Sequence, residues 1–170
     1  MLSVFTEILN TGFPSLSPVY TLHDEKAEEI WEKEGFELKG RSKSKWLAYN
    51  MAMRAKVFDD WTEAKLNEDP DALVIHLGCG MDSRCLRVTK GYNLWVDCDF
   101  PDVLEVRNQY YQESDSYRMQ VLNAAHTEQI TSLPDSCSAI VVLEGLARWK
   151  MKMMKLMTRG HLIRNLSGHA

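Results

Sequence analysis

Eleven residues, VIHLGCGMDSR from Val74 to Arg84, put an apolar run, two close glycines, an acid and a base into one stretch. Gly78 and Gly80 follow the apolar run directly, where a residue without a side chain lets the backbone turn sharply and lets a ligand come close. Two acids, Asp97 and Asp99, stand about twenty residues further on, the separation at which a carboxylate meets ribose hydroxyls in nucleotide-type sites. Position 83 is Ser, where a dinucleotide fingerprint has a third glycine for tight helix packing. A pyrophosphate needs that glycine and a bare helix terminus. S-adenosylmethionine has no phosphate, so the residues favour a methyl donor over a nicotinamide cofactor.

The elements around this stretch predict how it is held. Apolar residues at Ala27, Ile30 and Trp31 predict a short helix over 24–34, stopped by Gly35. Leu47, Met51, Ala55, Phe58 and Thr62 or Leu66 line one stripe of a longer helix over 44–66, ended by Asp69-Pro70. The period then changes. Leu73 to Leu77 reads as a buried strand, and Gly91 to Val96 as a second that ends in Asp97 and Asp99. Pro101 opens a helix with Val103, Leu104, Val106 and Tyr110 on its apolar side. Arg118 to Leu122 is a weaker strand, and Ala139 to Leu143 is a short apolar run of the kind covered on both faces. Strands alternating with helices predict an α/β fold with a doubly wound, mostly parallel sheet. In such sheets ligands sit at the carboxyl ends of the strands. Gly78 and Gly80, Asp97 and Asp99, Asn123, and Glu144 all fall at those ends.

Composition sets the outer limits. A chain of 170 residues with 45% hydrophobic content fits one domain, with N-terminal helices over 1–68 and a ligand-binding core over 72–145. A net charge of −4 argues against nucleic acid, and the basic run Lys39, Arg41, Lys43 and Lys45 reads as a solvated loop. No apolar run approaches the roughly 20 residues that span a bilayer, and Met1 to Pro14 has no signal-peptide pattern, so a cytoplasmic location is expected. Cys79, Cys85, Cys98 and Cys137 show no zinc spacing and read as buried free thiols; no metal is expected.

VIHLGCGMDSRCLRV resembles the LGxGxDTR stretch of the leucine carboxyl methyltransferase-like family, which includes polyketide O-methyltransferases. The resemblance extends, in the family's order, through LHDEKAEEI, NMAMRAKVFDDW, WVDCDFPDVLEVR and LPDSCSAIVVLEG, covering about Tyr20 to Gly145. It implies a Rossmann-like class I methyltransferase fold with S-adenosyl-L-methionine as cofactor. It further implies that Gly78 and Gly80 line the methionine portion, that Asp99 holds the ribose with Asp97 as its rival, that Glu144 lies at the pocket floor, and that Arg54 meets the methionine carboxylate. Ser83 stands for the usual Thr, and Asn123 where an Asp is common.

Arg54 also has an argument of its own. Its helix neighbours Asn50, Met51, Val57 and Phe58 include no acid, so a partly buried guanidinium there calls for a ligand carboxylate or a distant Asp, unless the side chain snorkels to solvent. Arg84 pairs either with that carboxylate or with Asp82. His76 reads as a satisfied core histidine, His126 as a loop residue, and Met151, Met153, Met154 and Met157 with Trp149 as a packing face. The expected function is transfer of a methyl group to a carboxylate or hydroxyl of a small molecule or a protein terminus. A non-catalytic remnant that binds a cofactor or partner is the alternative, because the C-terminal strands expected after Gly145 are missing. That leaves Ala139 to Leu143 as an exposed fourth strand through which the chain is expected to self-associate.

Overall fold

The computed structural model of the chain describes residues 22, 24–35, 45–88, 91–123, 126–130 and 132–144. Contacts divide the chain into two compact units, one within Met1–Ala64 and Met81–Thr89, the other within Lys65–Gly80 and Lys90–Ala170.

The first unit begins with helix α1 (Glu25–Glu34). The Asp24 side chain caps it by accepting from the Ala27 N–H at 3.1 Å. Gly35 ends it in the left-handed conformation, at φ 58°, and donates its N–H to the Trp31 and Glu32 carbonyls. Helix α2 (Lys45–Glu68) buries Ala52, Ala55, Asp59, Thr62 and Leu66, alternately three and four residues apart. The buried stripe therefore runs through Asp59, where the apolar pattern had run it through Phe58. A buried carboxylate needs partners, and this one has two. Asp59 accepts from Arg84 Nε at 2.6 Å and from Arg87 Nε at 2.8 Å, both from the short helix α3 (Arg84–Arg87). Arg87 also reaches Asp24 at 2.7 Å and Asp82 at 2.9 Å, while Arg84 lies 3.3 Å from Asp82 and over the Phe58 ring. Ser83 donates its hydroxyl to Asp24 and accepts from Arg87. Burial works against the Arg87 charge, but the carboxylates of Asp82, Asp59 and Asp24 outweigh it and raise its pKa above the usual arginine range.

The second unit is a four-stranded, all-parallel sheet in the order β3-β2-β1-β4, of the α/β Rossmann-like class. Strands β1 (Leu73–Leu77) and β4 (Ala139–Leu143) lie where the apolar runs predict them. Strand β2 (Leu94–Asp99) starts later than predicted and carries both acids inside it, and β3 (Tyr117–Val121) starts one residue earlier. Two short helices, α4 (Pro101–Arg107) and α5 (Thr127–Ile130), follow β2 and β3. On one face Leu73, Ile75, Leu77, Val96, Cys98 and Leu122 form an apolar core, with Leu94, Ala139, Val141 and Leu143 packed against it. Each such side chain withdrawn from water contributes about 1.5–3 kcal/mol. Strand β4 is the outer strand of the described sheet. The residues beyond Glu144, including Trp149 and the methionine-rich segment, lie outside the described residues.

The alternate residues of β1, β2 and β3 build a polar centre beside the buried Val74, Trp95, Ile140 and Val142 of the other face. Asp97, with no exposed surface, accepts from Trp95 Nε1 at 2.8 Å and Tyr117 OH at 2.8 Å, lies 3.1 Å from His76 Nδ1, and is bonded by Arg107. An ionised carboxylate only accepts, so His76 must carry its proton on Nδ1. His76 is thus a satisfied core residue. Burial alone would raise the Asp97 pKa, but the His76 hydrogen bond and the Arg107 charge hold it down at about 2. Helix α4 accordingly buries Leu104 and Arg107, followed by Tyr111, and leaves Val106 exposed. The inward face is displaced from the predicted Val103, Val106 and Tyr110 because a paired guanidinium belongs to it.

Two stability predictions follow from these networks. Asp59→Ala leaves two buried guanidiniums short of an anion and is expected to cost about 3–5 kcal/mol in urea unfolding; a loss under about 1 kcal/mol, the range of exposed pairs, would contradict the burial of the network. For Asp97 the folded pKa lies below the ordinary carboxylate value of ~3.9, so its contribution is present above that value and is lost as pH falls towards about 2. Unfolding free energy measured from about pH 5 down to pH 2 should fall by about 2 kcal/mol more in the wild type than in Asp97→Asn. Parallel curves would show that Asp97 is not the linked group.

Candidate functional site at the carboxyl end of the sheet

Chain order reverses at β1, with β2 and β3 on one side and β4 on the other. In open α/β sheets that reversal, at the carboxyl ends of the strands, is where the crevice for a ligand opens. Gly78 and Gly80 leave β1 there, Asp99 is the last residue of β2, Asn123 follows β3, and Glu144 follows β4. All but Asp97 of the candidate residues in this unit are thus at one end of the sheet and partly exposed.

The glycines are required by conformation. Gly78 has φ 66° and Gly80 φ 53°, a region that side chains other than glycine's rarely enter. Three consecutive amide hydrogens of the turn are engaged within the protein. Gly78 donates to the Cys98 carbonyl at 2.8 Å, Cys79 to the same carbonyl at 3.2 Å, and Gly80 to Asp99 Oδ2 at 2.8 Å. Phe100 donates its N–H to Asp99 Oδ1 at 2.8 Å. Each Asp99 oxygen therefore holds one backbone donor and keeps an acceptor direction for a further one. This is an acceptor site. It suits a diol and repels a phosphate. At α3 the first N–H, that of Arg84, is likewise taken by Asp82, at 3.1 Å. The amides of Gly78, Cys79 and Gly80 are therefore already bonded and do not point freely at a pyrophosphate.

The turn's own side chain is inert. Burial first, and then the Asp97 charge, push the Cys79 thiol far up, and burial with Asp97 takes Cys98 to about 12. Both remain protonated thiols and neither is a nucleophile. Cys85 is also buried, but Cys137 is exposed, against the expectation of four buried thiols.

Asp97 differs in kind from Asp99. It lies one pleat deeper on the same face, enclosed, with four protein donors on its two oxygens. Arg84 takes the structural option: it is fully buried and pairs with Asp59 as well as Asp82. Arg54 is exposed on α2, so the burial argument for a ligand anion there lapses. Asn123 donates its N–H to Gln129 Oε1 at 2.6 Å and accepts from the His126 N–H at 2.8 Å; His126 is exposed, as a loop histidine should be.

Sequence reasoning missed Arg107. Its Nη1 donates to the Gly80 carbonyl at 2.9 Å, so it touches the turn itself. The signal was available: Leu104, Arg107 and Tyr111 stand three and four residues apart, which places a guanidinium on a helix's inward face. Asp24, Asp59 and Arg87 were missed for the same reason.

The family model for leucine carboxyl methyltransferase matches residues 10–131. The tetracenomycin polyketide synthesis O-methyltransferase TcmP of Streptomyces glaucescens is 39% identical over 97 residues, covering 56% of this chain and 36% of the relative. The S-adenosyl-L-methionine-dependent methyltransferase dpfgK of Gibberella zeae is 43% identical over 76 residues, covering 43% of this chain and 26% of the relative. The chain spans about a third or less of the length of these curated relatives. With the match running over more than half of its residues, the chain belongs to the leucine carboxyl methyltransferase family.

Proposed function

We propose that the chain carries the cofactor half of an S-adenosylmethionine-dependent O-methyltransferase that acts on a carboxylate or hydroxyl of a small molecule. The observation that carries the reading is the state of the glycine turn: the amides of Gly78, Cys79 and Gly80 are internally bonded, and the partly exposed Asp99 keeps acceptor capacity beyond its two backbone donors. That arrangement supports a ribose without a neighbouring pyrophosphate. The family and the wording of the two relatives support the methyl donor, and the O-methyltransferase named for polyketide synthesis favours a small-molecule acceptor over a protein terminus. Among the described residues no helix is long and apolar enough to cross a membrane.

When bound, S-adenosylmethionine supplies a methyl group activated by its sulfonium. The chain's own residues bind and orient. We assign the ribose hydroxyls to Asp99 rather than Asp97, and close backbone approach to Gly78 and Gly80. Phe100 and Val121, exposed at the ends of β2 and β3, offer apolar surface to a purine. Asn123 and Glu144 border the crevice with polar groups. Arg54 is kept for the methionine carboxylate on its exposure and the family resemblance alone. Much of the rate of an in-line displacement comes from alignment of the reacting atoms, which these contacts would provide. A carboxylate acceptor would need no base, whereas a hydroxyl would need one.

Calorimetry with S-adenosylhomocysteine tests the reading, together with methyl transfer from labelled S-adenosylmethionine to phenolic and carboxylate acceptors. Asp99→Ala should weaken binding about tenfold or more, since a charged hydrogen bond contributes about 1.5–3 kcal/mol, and NAD should not compete. Equal binding by the variant, or displacement by NAD, would overturn the assignment.

A further inference from the structure

We infer that Arg107 is a positioning residue that presets the glycine turn for the cofactor, because it holds the carbonyl of the same residue, Gly80, whose N–H is held by Asp99. The inference rests on the methyl-donor reading above and extends it to a side chain outside the crevice.

The freedom that lets Gly80 adopt its left-handed conformation also lets it leave. Two bonds hold it. Asp99 Oδ2 accepts its N–H at 2.8 Å, and Arg107 Nη1 donates to its carbonyl at 2.9 Å. The guanidinium that makes the second bond is itself immobile. It has no exposed surface, Nη2 donates to Asp97, Nε donates to the Tyr117 hydroxyl at 3.1 Å, and its Cζ lies 3.8 Å from the centre of the Tyr111 ring. Three of its nitrogens thus serve three different groups: a carboxylate, a phenol and a peptide carbonyl.

Balancing the Asp97 charge requires only the first of these bonds. A lysine would supply that charge as a single point, whereas the planar fork of arginine fixes the angles at which the remaining donors leave. The bond to Gly80 is the part that charge balance does not explain. It lets both acids of β2 act on one glycine, Asp99 directly at its N–H and Asp97 through Arg107 at its carbonyl. A turn ordered before the ligand arrives spares the ligand the entropy of ordering it.

The test uses the full chain with Arg107→Lys and, as a milder change, Tyr117→Phe, which keeps the guanidinium and removes one of its guides. Amide hydrogen exchange is followed at Gly80 and at Ile75 and Val96, which report the sheet, and S-adenosylhomocysteine binding is measured by calorimetry. In Arg107→Lys the Gly80 amide should exchange about tenfold faster relative to Ile75 and Val96, and the Kd should rise about tenfold with unchanged stoichiometry. Tyr117→Phe should move both readouts in the same direction by less. If Gly80 and the sheet amides accelerate together, or a folded Arg107→Lys chain binds as the wild type does, Arg107 only balances a charge and the inference is wrong. If the wild-type chain does not bind S-adenosylhomocysteine, the methyl-donor reading falls. The hold on Gly80 is then decided by the exchange data alone.

Discussion

The second unit depends on one buried ion pair, Asp97 with Arg107. A carboxylate with no exposed surface would be intolerable by itself, because an uncompensated buried charge costs several kcal/mol. Its compensation dictates much of the surrounding structure. Trp95 and His76 must present their ring N–H groups from β2 and β1, Tyr117 must stand at the head of β3, and α4 must turn Arg107 inward. Once the guanidinium is there, its remaining donors are directed at Tyr117 and the Gly80 carbonyl. A charge-satisfaction problem in the interior therefore sets the geometry of the turn at the surface.

The first unit solves a similar problem with more members. Asp24, Asp59 and Asp82 meet Arg84 and Arg87, and Ser83 joins them, so the acid and base of MDSR are absorbed into structural pairs. The opening stretch thus divides by role: its glycines form the turn at the carboxyl end of β1 and its charged end is built into an interior. Among the described residues, no buried side-chain nitrogen or oxygen is left without a partner. That completeness is what makes such networks tolerable at low dielectric.

Strands β1 and β4 were legible to the residue because continuous apolar runs bounded by turns have one reading in a parallel sheet. The end of α1 was legible because Gly35 acts locally, whereas the capping role of Asp24 was not read. Where reading failed, it failed at charges. Asp59 and Arg107 lie on inward helix faces, and an apolar pattern treats a charged residue as outward, so Phe58 was read in place of Asp59 and Arg107 was left off the inward face, while Ala55, Thr62, Leu66 and Leu104 were read as they lie. Strand β2 was started too early, at Gly91, and the burial of Asp97 within it was not readable without its four donors. Among the site candidates, spacing placed the glycine turn and the pair Asp97 and Asp99 at the carboxyl end of the sheet, but it did not say which acid is buried and which is partly exposed. The inward position of Arg107 was readable from its spacing with Leu104 and Tyr111, but its partners were not, since they come from β2, from β3, from the chain between α4 and β3, and from the turn after β1.

The central claim is that the carboxyl end of β1 and β2 receives the ribose and methionine portions of the methyl donor. Backbone amide shifts of the isotopically labelled chain, followed while S-adenosylhomocysteine is titrated in, test it most directly. The account predicts saturable shifts concentrated at Gly78, Gly80, Asp99 and Phe100, which disappear with an analogue lacking the ribose hydroxyls. Shifts confined to other regions, or an equal response to the deoxy analogue, would contradict it.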